Sequence, residues 1–138
     1  MSLSYAITPF LAWLVAGCLK FVVNTVRARK LAFGLVGYGG FPSNHSSIVS
    51  SMCALIGFQE GLDHPAFGVA LTLAFIVILD ASSLRRQVGK QASSINRLTE
   101  GLEARDLHRE RMGHTPVEIA GGTLLGIAVA AVVVSWPV

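Results

Sequence analysis

At 138 residues, with 52% hydrophobic and 14% charged side chains and a mean hydropathy of +0.59, the chain is too apolar for a soluble domain of its size and belongs in a bilayer. Its net charge of +3 rests on few basic residues with no interleaved aromatics, which points to anionic lipid and away from nucleic acid. Cys18 and Cys53 both fall inside apolar stretches, which argues against an extracellular disulfide framework and makes them packing residues.

The apolar segments Tyr5–Val26, Ser46–Gly61, Ala66–Leu79 and Val117–Val134 predict an all-α, integral membrane bundle of about four transmembrane helices, one domain spanning residues 1–138. The first is long enough to span and has no cleavage-like site after a short core, so it reads as a membrane helix and not a signal peptide. Lys20 and Arg27 lie two helical turns apart on it, share a face, and can point at one anion. Two snorkelling cations would be the plain alternative, but Lys20 sits deeper, where an unpaired charge is costly.

Next comes Gly39-Gly40-Phe41-Pro42-Ser43-Asn44-His45, where a loop turns into a hydrophobic helix with a histidine on its first turn. The glycines allow close backbone approach to a ligand, Pro42 stiffens the entry, and Ser43 or Asn44 caps the helix. Unpaired N–H groups and the positive end of the helix dipole then face the loop, which suits a phosphate. A capped helix whose histidine merely rests at the interface is the competing reading.

The second and third segments are short for a hydrocarbon layer of about 30 Å, and Leu62-Asp63-His64-Pro65 joins them as a helical hairpin with Pro65 opening the next helix. Asp80-Ala81-Ser82-Ser83-Leu84-Arg85-Arg86 closes the third. Taken alone it is an interfacial helix end; beside Lys20 and Arg27 it adds guanidinium groups that match phosphate oxygens. From Ser82 to Gly113 the apolar residues Leu84, Val88, Ile95, Leu98 and Leu102 form one helical stripe, predicting an amphipathic cytoplasmic helix on the membrane surface or on a partner, weakened at Gly89 and Gly101.

Gly113-His114-Thr115-Pro116-Val117-Glu118 opens the last helix. Thr115 and Glu118 make a capping box with Pro116 in the first helical position, and Glu118 is also one turn from His114, where it could orient the imidazole. Gly122, Gly126 and Ala130 form a small-residue ridge, a packing face within the monomer or the seam of a homodimer, and Trp136 is an interfacial anchor. If all four segments span, Lys20, Arg27, Arg29, Lys30, Arg85, Arg86, Lys90, Arg97, Arg105, Arg109 and Arg111 all fall on one side. The positive-inside rule makes that side cytoplasmic, in a bacterial inner membrane, with both termini opposite.

The runs at residues 39–45, 80–86 and 113–118, with the Lys20/Arg27 pair, resemble the motifs of the type-2 phosphatidic acid phosphatase superfamily, which includes the vanadium haloperoxidases. They are most similar to its divergent branch of small membrane proteins. The resemblance implies phosphomonoester hydrolysis on a membrane lipid with no metal or other cofactor. His114 would be the nucleophile that forms a phosphohistidine, an acidic neighbour, Glu118 or Asp80, would orient it, and His45 would protonate the leaving alkoxide. Lys20, Arg27, Ser43, Asn44, Arg85 and Arg86 would hold the phosphoryl oxygens. This chain has Ala28 where the main family has proline, Asn44 where it has glycine, Glu118 where it has aspartate, and four helices where it has six. His108 stands where it has an arginine, which leaves Arg109, Arg111 or Arg85 to supply that contact. Two alternatives are a catalytically silent lipid-phosphate binding or transport subunit and a structural adaptor that recruits a partner through residues 82–113. Phosphatidylglycerophosphate, phosphatidate and polyprenyl phosphate all remain open as substrates.

Overall fold

The computed structural model describes residues 3–29, 40–102 and 106–136. Gly39, Lys30 and Arg105 lie outside the described residues. Among the described residues five helices follow one another: α1 (Ser4–Ala28), α2 (Asn44–Gln59), α3 (Pro65–Leu79), α4 (Arg85–Leu98) and α5 (Pro116–Ser135), with a π-helical turn, Asp80–Leu84, joining α3 to α4. No strand occurs among the described residues. Among the described residues, three helical stretches are long and apolar enough to cross a membrane, namely α1, the stretch Pro65–Leu98, and α5. At 16 residues, α2 is shorter and packs against α1, α3 and α5.

Small side chains at helical spacing build the interior. Thr8, Ala12 and Ala16 of α1, Ala70 and Ala74 of α3, and Gly122, Gly126 and Ala130 of α5 are buried, whereas Phe10, Trp13, Phe75 and Leu124 face outward. Lipid tails supply no hydrophobic drive between helices, so close approach of backbones and dispersion hold the bundle together, and large apolar groups serve better outside. The face of α2 follows the same logic with hydroxyls: Ser46, Ser47, Ser50 and Ser51 are all buried. Ser47 Oγ donates to the Ser43 carbonyl (3.0 Å) and Ser51 Oγ to the Ile48 carbonyl (2.8 Å), so these groups enter the core already hydrogen-bonded.

The glycines of α5 admit this face. A Cβ at Gly122 would strike the Ser43 carbonyl oxygen, and one at Gly126 the Ser47 carbonyl oxygen. The Gly122/Gly126 ridge is thus filled by α2 within the chain, and α2 and α5 run parallel. At the far end, Tyr5 donates to Glu60 (2.5 Å) and Ser4 to Gln59 (3.5 Å), so α1 runs antiparallel to α2, and His64 with Pro65 opens α3 as the hairpin reading expects. The last turns of α1 and α3 and the first turns of α2 and α5 therefore share one end of the bundle.

The segment after α3 departs from the expected single amphipathic helix through Gly113. The helix stops at Leu98; Gly101 adopts φ +92, and residues 106–113 return along α4. Asn96 anchors the return: its Nδ2 donates to the His108 carbonyl and to Glu110 Oε1 (both 2.8 Å), and its Oδ1 accepts from the His108 N–H (2.9 Å). The Asn96 bond holds the Glu110 carboxyl below the usual carboxylate range. Gly89, expected as a weak point, lies inside α4 and serves as a seat, since a Cβ there would strike the Glu110 carbonyl oxygen.

Candidate functional site

The first turn of α2 is built by Ser43. Its side chain caps the helix, accepting from the Ser46 N–H (3.3 Å), and its own N–H donates to the Glu118 carbonyl (2.9 Å), which ties the loop to α5. His45 follows on that turn. Its Nε2 lies 3.1 Å from Arg85 Nη2. A guanidinium only donates, so Nε2 accepts and the ring proton sits on Nδ1. That Nδ1 and the neighbouring Asn44 Oδ1 are buried with no hydrogen-bond partner among the described residues.

The start of α5 realises the capping box in full: Thr115 Oγ1 accepts from the Glu118 N–H (3.3 Å), and Glu118 Oε2 accepts from the Thr115 N–H (2.9 Å). The same Oε2 lies 3.1 Å from His114 Nδ1. Capping and orienting are one arrangement on one oxygen. A carboxylate only accepts, so Nδ1 of the neutral ring carries the proton and Nε2 keeps its lone pair. The backbone of His114 is clamped from the other side, its N–H donating to the Ala81 carbonyl (2.9 Å) and its carbonyl accepting from Arg86 Nη2 (3.1 Å). Gly113 makes this approach possible with φ +89; a Cβ there would lie 2.9 Å from Arg86 Cγ.

The π-helical turn sets the third element. Asp80 and Arg85 are five residues apart, which in an α-helix would place them about 140° apart around the axis. The wider π turn, closed by the Arg85 N–H on the Asp80 carbonyl, brings them together, with Arg85 Nε 3.2 Å from Asp80 Oδ2. Arg85 therefore bridges Asp80 and His45. The imidazoles of His45 and His114 stand 6.2 Å apart between centroids, tilted by 55°.

Of the residues singled out in the sequence, His45, Asp80, Arg85, His114 and Glu118 form one connected cluster, and Ser43 is its floor. Lys20 is half-buried within electrostatic reach of both imidazoles and of Glu118. Arg27 is exposed on the last turn of α1 and joins no hydrogen bond or ion pair of the cluster. Arg86 grips the His114 backbone. Among the three candidates to replace the family arginine, Arg85 reaches the cluster, whereas Arg109 and Arg111 are exposed on the return segment. The π turn and the clamp on His114 have no counterpart in any sequence signal; the buried hydroxyl face was visible as the serine run of residues 43–51.

Burial pushes the His114 pKa below its ordinary value, the Lys20 and Arg85 charges push the same way, and the Glu118 bond and charge only partly oppose them. The imidazole is thereby kept neutral in the pH range where a free histidine begins to protonate.

Fold and cluster together define a helical membrane protein with a carboxylate-keyed histidine facing a second histidine, bordered by Lys20 and Arg85, at one end of the bundle. A family model described as "Divergent PAP2 family" matches residues 2–129, and the chain belongs to that family. It is also similar to the uncharacterized membrane protein YuiD of Bacillus subtilis (strain 168), with 33% identity over 138 residues, covering 88% of this chain and 87% of that protein. No solved structure matches the chain.

Proposed function

We propose that the chain is a lipid-phosphate phosphatase that hydrolyses a phosphomonoester on phosphatidylglycerophosphate, phosphatidate or polyprenyl phosphate. The observation that carries this reading is the Glu118–His114 pair facing His45 across 6.2 Å, a separation on the scale of one phosphoryl group. His114 Nε2 attacks phosphorus, the P–O bond to the lipid alkoxide breaks, and protonated His45 delivers a proton to that oxygen. Water then attacks the phosphohistidine as His45 takes its proton, the bond from phosphorus to His114 Nε2 breaks, and inorganic phosphate leaves with His114 restored and His45 protonated again. Lys20, Arg85 and the capped N-terminus of α2 stabilise the charge that spreads over the equatorial oxygens. A bound phosphoryl dianion draws Arg85 from His45 and favours the imidazolium the first step needs. The donors present are cations and imidazoles, a set suited to holding phosphate directly.

Phosphate release from a panel of the three lipids in detergent, with no metal added, tests the reading. Vanadate, which mimics the trigonal transition state, is expected to inhibit and EDTA to have no effect; loss of activity with EDTA alone replaces this mechanism with a metal-dependent one. Lipid binding without phosphate release on any substrate selects the silent binding subunit instead.

The lowered pKa of His114 sets a pH dependence. The nucleophile works unprotonated, so the acid limb of kcat/KM is expected to fall below the ordinary histidine value of about 6.5. Lys20→Gln removes a charge that lowers that pKa, so the limb moves to higher pH while turnover drops. A limb unmoved in this variant would separate Lys20 from His114.

The cluster faces the cytoplasm in this proposal, on the strength of the Lys and Arg asymmetry. Ser94 is exposed on α4. With Cys18 and Cys53 replaced by alanine, Ser94→Cys is expected to resist an impermeant thiol reagent in intact cells and to react once they are opened. Labelling in intact cells moves the site to the outer face.

A further inference from the structure

Lys20, His45, Asp80, Arg85 and Glu118 all sit on helical turns, whereas His114 lies just before α5, at the end of the return segment 106–113. A side chain delivered by a loop is placed only as well as the loop is held. Here one face of the π turn and α4 holds it. Ala81 accepts the His114 N–H (2.9 Å), and Arg86 Nη2 donates to the His114 carbonyl (3.1 Å). Further along, the place a Cβ would take at Gly89 belongs to the Glu110 carbonyl oxygen, with the Met112 nitrogen 3.4 Å away. Ser93 donates to the Glu110 carboxylate, and Asn96 binds another of its hydrogen-bonding positions together with the N–H and the carbonyl of His108.

Gly89, Ser93 and Asn96 follow helical spacing and share a face of α4, where Gly89 and Asn96 are buried. Their partners run in the opposite sense, from His108 beside Asn96 through Glu110 over Gly89 to His114 beside Arg86. The segment is thus an antiparallel strap on a helical rail. Asn96 grips both backbone groups of a single residue, so the strap cannot slide along α4 without breaking both bonds. The bare backbone of Gly89 lets its middle lie directly on the helix. With register and depth both fixed, the end of the strap carries His114 to its place among Glu118 of α5, Lys20 of α1, His45 of α2 and Arg85 of the π turn's exit.

We infer that Asn96 and Gly89 are positioning residues for His114: by seating the return segment on α4 they set where its imidazole stands against His45 and Arg85. Their effect on turnover rests on the phosphatase reading; their effect on the imidazole does not.

The test uses the full chain in detergent with its histidines labelled by nitrogen-15. Asn96→Leu removes the bonds to His108 and Glu110, and Gly89→Ala pushes the Glu110 backbone away while favouring α4 itself, since alanine is the better helix former. A misplacement of about 1 Å can cost 100-fold in rate, so each variant is expected to lose about 10–100-fold in kcat. KM should stay at the parental value, because Lys20 and Arg85 lie outside the strap. Independently of turnover, the His114 ring signal should shift and its titration rise toward the ordinary value of about 6.5 as the imidazole leaves its buried place. The His64 signal, at the other end of the bundle, should stay where it is. Gln91→Ala, on the exposed side of α4, is the control and should change neither readout. A His114 signal and titration unmoved in both variants, with helix content retained, would overturn the positioning role whatever the activity, and so would a raised KM with kcat kept. A signal that moves as expected in a chain that releases no phosphate supports the positioning role and removes the phosphatase reading instead.

Discussion

His114→Ala is expected to abolish turnover on every phosphomonoester offered, because no neighbouring group can take over a covalent step. Asp80 and Glu118 are committed to Arg85 and to the α5 cap, and the other imidazole approaches from across the site. His45→Ala should cost less, within the 10²–10⁴-fold typical of general-acid help, and least for an aryl phosphate whose leaving group needs little protonation. The contrast between alkyl and aryl substrates is the informative measurement. Lys20 and Arg85 remain in both variants, so lipid-phosphate binding should persist. An alanine variant at either position that hydrolyses an alkyl phosphate at the parental rate, with fold intact, removes the catalytic assignment.

Gly122→Val is expected to unfold the bundle or to lower its melting temperature sharply. The atom a side chain would meet there is the carbonyl oxygen of Ser43, with Ser46 Cβ 3.0 Å away. Backbone cannot rotate aside as the end of a flexible side chain can. Overpacking in a well-filled core costs roughly 1–3 kcal/mol, and Gly122→Val belongs at or above the upper end of that range. Because Ser43 caps α2 ahead of His45, phosphate release should fall with the melting temperature. Gly17→Ala is the control, since a Cβ there meets nothing within 4 Å and helix propensity improves by about 1 kcal/mol. Equal melting of Gly122→Val and the parent would mean that α2 and α5 do not approach this closely.

Much of this architecture is legible in the chain. Thr115, Pro116 and Glu118 spell a capping box, a motif that depends on backbone geometry within four residues and forms here in full. The convergence of helix ends also follows from the sequence, since the order of apolar segments dictates which ends meet. The extent of α4 did not follow. Leu102 continues the stripe in register, yet Gly101 turns the chain back, and long-range contacts such as the bonds of Asn96 hold the return segment in place. That Arg85 reaches the cluster, and Arg109 and Arg111 lie exposed on the return segment, was closed to sequence reasoning for a related reason. In an α-helix Asp80 and Arg85 would diverge, and the π turn, which no residue pattern announces, brings them together. The ridge on α5 was readable as a packing face, but its occupant depended on a serine helix whose small hydroxyls match the glycines.

The oxygen of Glu118 that His114 and the Thr115 amide share makes the end of α5 a gauge of the site's state. A proton on the imidazole, or the phosphoryl group of the proposed mechanism, would redistribute electron density on that oxygen, and the Thr115 amide would register it. Its chemical shift and its rate of exchange with solvent would follow the titration of His114 from a backbone position that takes no part in the chemistry. By the same sharing, a substitution at Glu118 alters the helix end along with the imidazole, so a loss of activity there confounds the two, whereas the amide signal in the intact protein keeps them apart.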